Sequence, residues 1–397
     1  MRTSTLRRAL LLLACTGLLP ALHAQNRDPL KWPFDKTSIW NMPIHHNAVY
    51  VPAGIGPVTQ GTLVDEDYIV LTPGAPTVNI YQNTAGWDRS KDRCLPEGGV
   101  IMQAPIPDNF VISRDTWLGD TPNAGLAVLM PDGRTIRQTQ PFARCTAGGD
   151  GTSQYIFPDA DIYGDGIRGA HGGSGMSAIG GTIRLGELVP GRVIRHALKV
   201  NIYAAKYLSY NATHQGYRWP ATRSDGYAAE VYKGTVEATR MGALLALPPS
   251  VDINAMGLET EPGRIIARAM QDYGAYIVDD PYWDVVAFIT EFSPQGRVID
   301  EFQSVWGMPM EVGGPSSTNA WTRDVARIIT GAHVVDNNGP GNVGGGPTTD
   351  FVNRRAPMAP DFVSARTLKV MPLGDSRPKA AGAATTTAGG GTCAATC

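Results

Sequence analysis

Short apolar runs that end in turn residues constrain the fold of this chain more than any other feature of its sequence. Runs rich in valine, isoleucine and tyrosine recur over the first 250 residues, for example at 64–73, 126–138 and 193–210. With 46 glycines and 30 prolines among 397 residues, the composition favours many turns over long helices. The pattern predicts a mostly β fold with a β-sandwich or jelly-roll-like core.

Two segments near the C-terminal end of the body have helical rather than strand periodicity. The first has Thr260 as a candidate N-cap and Pro262 in its first turn, and it stops at Gly274. The second, residues 321–331, has the same order of signals and is likewise followed by a short apolar run. We therefore predict two short C-terminal helices added to the β core.

The chain divides by composition into three parts. Residues 1–24 have a basic start, an apolar run and ALHA before Gln25, which predicts a secretory signal peptide. Residues 25–336 form a single, mostly β functional domain, and residues 337–397 form a Gly/Pro/Ala/Thr-rich tail, partly disordered. The predicted location is extracellular or periplasmic. The alternative is a lipoprotein signal ending at Cys15, which would leave a lipid anchor on an otherwise membrane-free protein.

The cysteines indicate the cellular compartment, and the net charge bears on the class of binding partner. Cys94 and Cys145 are the only cysteines between the signal and the tail, and export predicts that they form a disulfide. Closing a loop of about fifty residues would contribute ~4 kcal/mol on the chain-entropy account. A net charge of −2 does not indicate nucleic acid as a partner. The sequence leaves the oligomeric state open.

Polar side chains set among glycines between residues 159 and 227 mark the candidate site. Glycine lets a loop approach a ligand closely, so His171 in GAHGGSG is a candidate catalytic residue, although a glycine-rich turn tolerates any polar residue. His196 is a second candidate. Because it alternates with Ile194 and Leu198 in a strand pattern, a buried structural histidine is the competing interpretation.

The segment GYRWPATRSDGY indicates carbohydrate binding. Tyr217 and Trp219 offer aromatic faces for sugar rings, and Arg218 offers a charged donor for hydroxyl or carboxylate groups. We therefore expect Tyr217, Arg218 and Trp219 to bind a polysaccharide substrate. Core or rim packing is the structural alternative for each aromatic side chain.

Carboxylates separate the enzymatic hypotheses. Glycoside hydrolysis needs two carboxyl groups around the scissile bond, and Asp225, Asp272 and Asp279 are the candidates. A polysaccharide lyase, with a histidine or tyrosine base and Arg218 neutralising a uronate, is the first alternative. A non-catalytic carbohydrate-binding or cell-surface protein is the second. Paired carboxylates in one cleft would favour hydrolysis, whereas convergence of His171 with Arg218 without such a pair would favour the lyase.

Metal signatures in the sequence are weak. Asp159, Asp161 and Asp165 resemble an oxygen-rich loop, but Tyr163 stands at the third ligand position and no glutamate follows at the twelfth, so this is not an EF-hand. A structural calcium ion at these three aspartates is one hypothesis, and a solvated turn is the other. The HExxH zinc pattern is absent, and the predicted hydrolysis requires no cofactor.

Overall fold

The structure is a computed structural model that describes residues 27–113 and 122–362. More of these residues lie in strands than in helices, which confirms a mostly β fold. The strands are β1 Tyr50–Pro52, β2 Gly61–Val70, β3 Thr77–Gln82, β4 Val100–Pro105, β5 Leu126–Leu129, β6 Thr135–Gln140, β7 Gly151–Ser153, β8 Tyr155–Ile156, β9 Ala160–Asp161, β10 Arg168–His171, β11 Leu198–Ile202, β12 Leu244–Ala246, β13 Ala275–Asp279, β14 Val285–Ser293, β15 Gly296–Arg297, β16 Val312–Gly313 and β17 His333–Val335. The helices are α1 Ala204–Tyr207, α2 Ala228–Val231, α3 Glu261–Asp272, α4 Val298–Trp306 and α5 Ala320–Thr330.

One large mixed sheet organises the molecule. Its main path runs β1-β17-β12-β13-β11-β14-β2-β5-β6-β8, and β9, β15 and β16 pair at its sides. Strand β2 lies parallel to both β14 and β5, and β11 lies parallel to β13. A jelly roll is built from antiparallel strands, so the sandwich or jelly-roll part of the prediction is not confirmed. Parallel pairing joins strands far apart in the chain, which local periodicity does not reveal.

The central strands are buried on both faces. All but one residue of β14 is buried, and β11 and β13 are buried throughout. Such continuous burial is typical of strands covered on both sides. Trp40 and Tyr276 meet edge to face in the main core, with ring centroids 5.5 Å apart. Trp40 and Trp321 are both buried.

A smaller sheet, in the order β4-β3-β7, forms a second core with the far side of β2 and β5. Cys94 and Cys145 form a disulfide beside it, which confirms the predicted pairing. The bridge spans 51 residues of sequence and therefore links the loop after β3 to the turn before β7.

Both predicted helices are present. The Thr260 side chain accepts a hydrogen bond from Gly263 N at 3.0 Å to cap α3, and a capping box between Asn319 and Thr322 begins α5. These helices pack against each other, and α3 also packs on β12. Helix α4 was not predicted. It lacks a side-chain N-cap and follows β15 directly, so the sequence carries no start signal for it.

Residues 337–362 of the compositionally defined tail lie against the N-terminal part of the body. Arg354 Nη1 donates to Pro43 O at 3.0 Å and to Val343 O at 2.6 Å, and Arg354 itself is buried. The predicted signal peptide, Cys15 and residues 363–397 lie outside the described residues. Within the part of the chain that the structure describes, no helix is both long and apolar enough to cross a membrane.

Candidate functional site

Charged and amide side chains on three strands of the large sheet converge at one place. Asp65 and Asp67 are two residues apart on β2, and Lys199 and Asn201 are two residues apart on β11, so each pair points to one face of its strand. Asn201 stands opposite Asp279, the last residue of β13. The sheet therefore assembles a polar cluster from positions 65 to 279 of the chain.

Asp67 is the buried centre of this cluster. Its Oδ1 lies 2.8 Å from His171 Nδ1, and its Oδ2 accepts hydrogen bonds from Lys199 Nζ and, at 2.6 Å, from Thr182 Oγ1. Burial opposes ionisation of Asp67, but the charge of Lys199 and the hydrogen bond with His171 hold the pKa of this carboxyl below its usual value. Burial in turn lowers the pKa of Lys199, against the attraction of Asp67. The imidazole is thereby held in one orientation.

The second ring nitrogen of His171 faces two further carboxylates. His171 Nε2 is buried, makes no hydrogen bond and lies 3.7 Å from Asp65 Oδ2. One potential ligand atom from each of Asp65, His171 and Asp279 lies within 4.8 Å of the other two. Asn123 Nδ2 donates to Asp65 Oδ2 at 2.7 Å and to Asp279 Oδ2 at 2.6 Å, which ties the two carboxylates together.

Asp225 and Asp279 lie against two consecutive glycines in the loop after β10. A Cβ atom on Gly172 would stand 2.0 Å from Asp279 Oδ2, and one on Gly173 would stand 2.3 Å from Asp225 Oδ1. The close approach therefore requires glycine at both positions. Asp279 Oδ1 accepts hydrogen bonds from Gly173 N and Asp280 N, both at 2.9 Å, and Asp225 Oδ2 accepts one from Tyr232 Oη at 2.6 Å.

The two carboxyl groups have raised pKa values. Burial, opposed by the Tyr232 hydrogen bond, raises the pKa of Asp225 to about 6. Burial and the nearby charge of Asp225 raise the pKa of Asp279 well above its usual value. Because two close carboxyls resist double ionisation, the pair retains a proton at a pH where an isolated aspartate has none. The backbone N–H groups of Gly173 and Asp280 donate to Asp279 and oppose the rise of its pKa.

A cavity of about 380 Å³ lies near the start of β10. Its lining includes Trp219, Thr222 and Arg168, together with Asp159 and Asp165. Arg168 begins β10 and His171 ends it, so the cavity and the histidine lie about 10 Å apart along one strand. Thr222 N donates to Ser174 O at 3.1 Å, which joins the Trp219 wall to the glycine loop.

The other predicted catalytic residues lie elsewhere. Asp272 ends α3 and precedes β13, whereas Asp279 ends β13, so about 16 Å of strand separates them. His196 Nδ1 lies 2.9 Å from Ala197 O, and its Nε2 lies 3.0 Å from Glu187 Oε2. Both ring nitrogens of His196 face acceptors in a buried corner, which matches the structural interpretation.

Of the three predicted substrate-binding residues, Trp219 lines the cavity, whereas Tyr217 and Arg218 do not. Arg218 donates to Asp336 Oδ1 at 3.0 Å and to Asp336 O at 2.6 Å, so its guanidinium joins two loops and does not converge with His171. Tyr217 is half-buried, and its backbone forms an isolated parallel β-bridge with Met241. Trp219 is also half-buried, but it lines the cavity, where part of its indole can meet a ligand.

The three aspartates of the calcium hypothesis have other partners. Asp161 Oδ2 accepts hydrogen bonds from Arg134, and Asp159 Oδ2 lies 3.5 Å from Arg137 Nε. Asp165 Oδ1 accepts from Ile167 N at 3.0 Å in a turn. In residues 27–113 and 122–362, the three-residue group of metal-binding type is the one formed by Asp65, His171 and Asp279.

Sequence reasoning missed most of the polar cluster. Asp65, Asp67, Lys199 and Asn201 lie inside runs interpreted only as apolar strands, although their spacing of two residues places charges and amides on one face. Asn123 carried no recognisable signal. The chain matches no protein-family model, and comparisons with curated proteins and with solved structures find no match either.

Proposed function

We propose that this protein is a glycoside hydrolase that cleaves a polysaccharide with Asp225 and Asp279. The observation that carries the proposal is that both carboxyl groups lie against the consecutive glycines 172 and 173, in a loop that a hydrogen bond from Thr222 joins to the cavity lined by Trp219. A pair of carboxyl groups, one protonated and one ionised, is what acid-assisted cleavage of a sugar chain requires.

The two aspartates have different roles in this reaction. Asp225 is half-buried and, in this proposal, is the acid of the pair: it donates a proton to the glycosidic oxygen as the bond from this oxygen to the anomeric carbon breaks. A water molecule bonds to the anomeric carbon and gives its proton to the Asp279 carboxylate. The products are two shorter chains, one with a new reducing end. Proton exchange with solvent then restores the starting state.

The cavity supports a sugar ligand. The exposed part of the Trp219 indole provides an apolar face for a ring, and Arg168 in the same lining provides charged donors for hydroxyl groups. The cavity volume of about 380 Å³ matches the lower range of small-molecule sites, which is the scale of one or two sugar rings.

Export is part of the proposal. The predicted signal peptide and the Cys94–Cys145 disulfide support a protein that works outside the cytoplasm, where polymeric substrates are found. The β-elimination alternative depended on His171 and Arg218 acting together. Their separate partners, Asp67 and Asp336, provide no support for it.

The test is a panel of neutral and uronic-acid polysaccharides incubated with purified mature protein. Reducing ends and the ultraviolet absorbance of unsaturated products are followed together. We expect new reducing ends without absorbance. Asp225→Asn and Asp279→Asn should each lower the rate by about 10²–10⁴-fold, whereas the matched control Asp272→Asn should not. Rising absorbance would replace hydrolysis with elimination, and retention on an insoluble glycan without any product would indicate a binding protein.

A further inference from the structure

His171 in the polar cluster has a free ring nitrogen that hydrolysis by two aspartates does not use. His171 Nε2 is buried and has no hydrogen-bond partner, and the His171 side chain is only 1% exposed. A buried ring nitrogen without a partner is costly unless something binds it. Asn201 Oδ1 also lacks a partner, and the nitrogen of the same amide donates to Asp65 Oδ2 at 2.9 Å.

We propose that Asp65, His171 and Asp279 bind a divalent transition-metal ion through His171 Nε2 and one oxygen of each aspartate. The separation of 3.7 Å between His171 Nε2 and Asp65 Oδ2 is near the spacing of about 3.4 Å between two ligands bound tetrahedrally at ~2.1 Å from one ion. Asp279 contributes an atom within 4.8 Å of both. One imidazole nitrogen with carboxylate oxygens suits manganese or zinc better than calcium, which takes oxygen ligands.

Each ligand has a partner that orients it, as a metal site requires. His171 presents Nδ1 to Asp67, and Asp67 is itself bound by Lys199 and Thr182. This arrangement fixes the tautomer that leaves Nε2 free to bind a metal. Asp279 Oδ1 is occupied by Gly173 N and Asp280 N, which turns Oδ2 toward Asp65. Asn123 holds the two carboxylates together.

The ion would hold the water that attacks the glycosidic bond and would make it easier to deprotonate. This role rests on the proposed function. The binding itself does not, because it depends only on the ligand geometry. The competing explanation of the free nitrogen is an imidazolium ion held between Asp65 and Asp67, with no metal.

The test measures manganese binding. The full-length mature chain is first treated with a chelator, Mn²⁺ is then added, and binding is detected by electron paramagnetic resonance. We expect one tightly bound Mn²⁺ per chain, with nitrogen modulation in the pulsed spectrum from the imidazole. His171→Asn should abolish the nitrogen signal. Asp279→Asn, which preserves side-chain size, should weaken binding at least about tenfold, and the outer substitution Asp67→Asn should weaken it by about 10–100-fold. Asp272→Asn is the matched control and should bind as the natural chain does.

Several outcomes would overturn the site. These are an unchanged free Mn²⁺ signal with the natural chain, binding without nitrogen modulation, or equal binding by folded Asp279→Asn. A doubly protonated His171 in nitrogen-detected NMR with Mn²⁺ present would support the imidazolium instead. The two proposals fail separately. Mn²⁺ binding without glycan cleavage would support the metal site and contradict the hydrolase proposal. Cleavage that a chelator does not diminish, in a chain that binds no Mn²⁺, would support the hydrolase and contradict the metal site.

Discussion

His171 Nδ1 lies 2.8 Å from Asp67 Oδ1 in a position where both side chains are almost completely buried. Asp67 also neutralises Lys199, which is buried as well. One carboxylate therefore orients the histidine of the proposed metal site and stabilises a buried cation. Asp67 therefore affects both the orientation of His171 and the stability of the fold, and substitutions can separate these two effects.

Replacing Asp67 with asparagine leaves Lys199 without a counter-ion. An unpaired buried charge costs about 3–5 kcal/mol, so we expect Asp67→Asn to lower the free energy of unfolding by that amount, measured by urea denaturation. The double variant Asp67→Asn with Lys199→Met removes both charges and should recover most of the stability. It should not recover Mn²⁺ binding, because His171 still lacks the carboxylate that orients it. Equal losses of stability in the single and double variants would contradict the ion-pair account.

A methyl group at Gly173 should displace Asp225. The added Cβ would stand 2.3 Å from Asp225 Oδ1, and this half-buried side chain can move toward solvent. We expect Gly173→Ala to reduce the cleavage rate by about 10²-fold, the usual effect of a 1 Å misplacement. Gly226 has open space around its Cβ position, so Gly226→Ala is the control. Full activity in Gly173→Ala would show that the position of Asp225 does not matter for turnover.

His196 should stabilise the fold in a pH-dependent way. Burial disfavours its charged form, but Glu187 and the carbonyl of Ala197 outweigh burial and raise the pKa of His196. Its stabilising contribution is therefore complete below its unfolded pKa of about 6.5 and is lost as the pH rises through the folded value. We expect His196→Asn to lower the free energy of unfolding by about 1–3 kcal/mol in acid and by less in alkali. Urea titrations across this range test the slope, and a loss independent of pH would exclude the linkage.

The charged form of Glu311 should destabilise the fold at alkaline pH. Burial, with the nearby charge of Glu66, raises the pKa of Glu311 from 4.5 to about 7. The folded state therefore binds more protons than the unfolded state between these values, and stability falls as the pH rises through them. Glu311→Gln removes the penalty, so we expect it to raise the free energy of unfolding above pH 7 by on the order of 1–3 kcal/mol, with little change below pH 4.5.

Thermal unfolding at the two pH extremes measures this difference. Glu230 is exposed on α2 and provides the matched control, since Glu230→Gln should change stability little at either pH. A Glu311→Gln variant that is stabilised equally in acid and alkali would indicate a packing effect rather than a titration.

Much of the local structure could be predicted from the sequence. The caps at Thr260 and the stop at Gly274 predicted α3, because a helix end is decided by residues a few positions apart. The Cys94–Cys145 bridge followed from there being only two cysteines in the body. The glycine-rich loop at His171 also drew attention to the segment that the structure places beside Asp225 and Asp279.

Tertiary structure alone decided which polar residues meet. Asp272 and Asp279 are seven residues apart and looked equivalent, but Asp272 ends α3 before β13 begins, whereas Asp279 is the last residue of β13. Arg218 adjoins Trp219 in sequence, yet it turns to Asp336 while Trp219 faces the cavity. Asp65, Asn201 and Asp279 come together only because β2, β11 and β13 are ordered around β14. Periodicity records which face of a strand a side chain occupies, whereas the partner of that strand depends on the packing of the whole core.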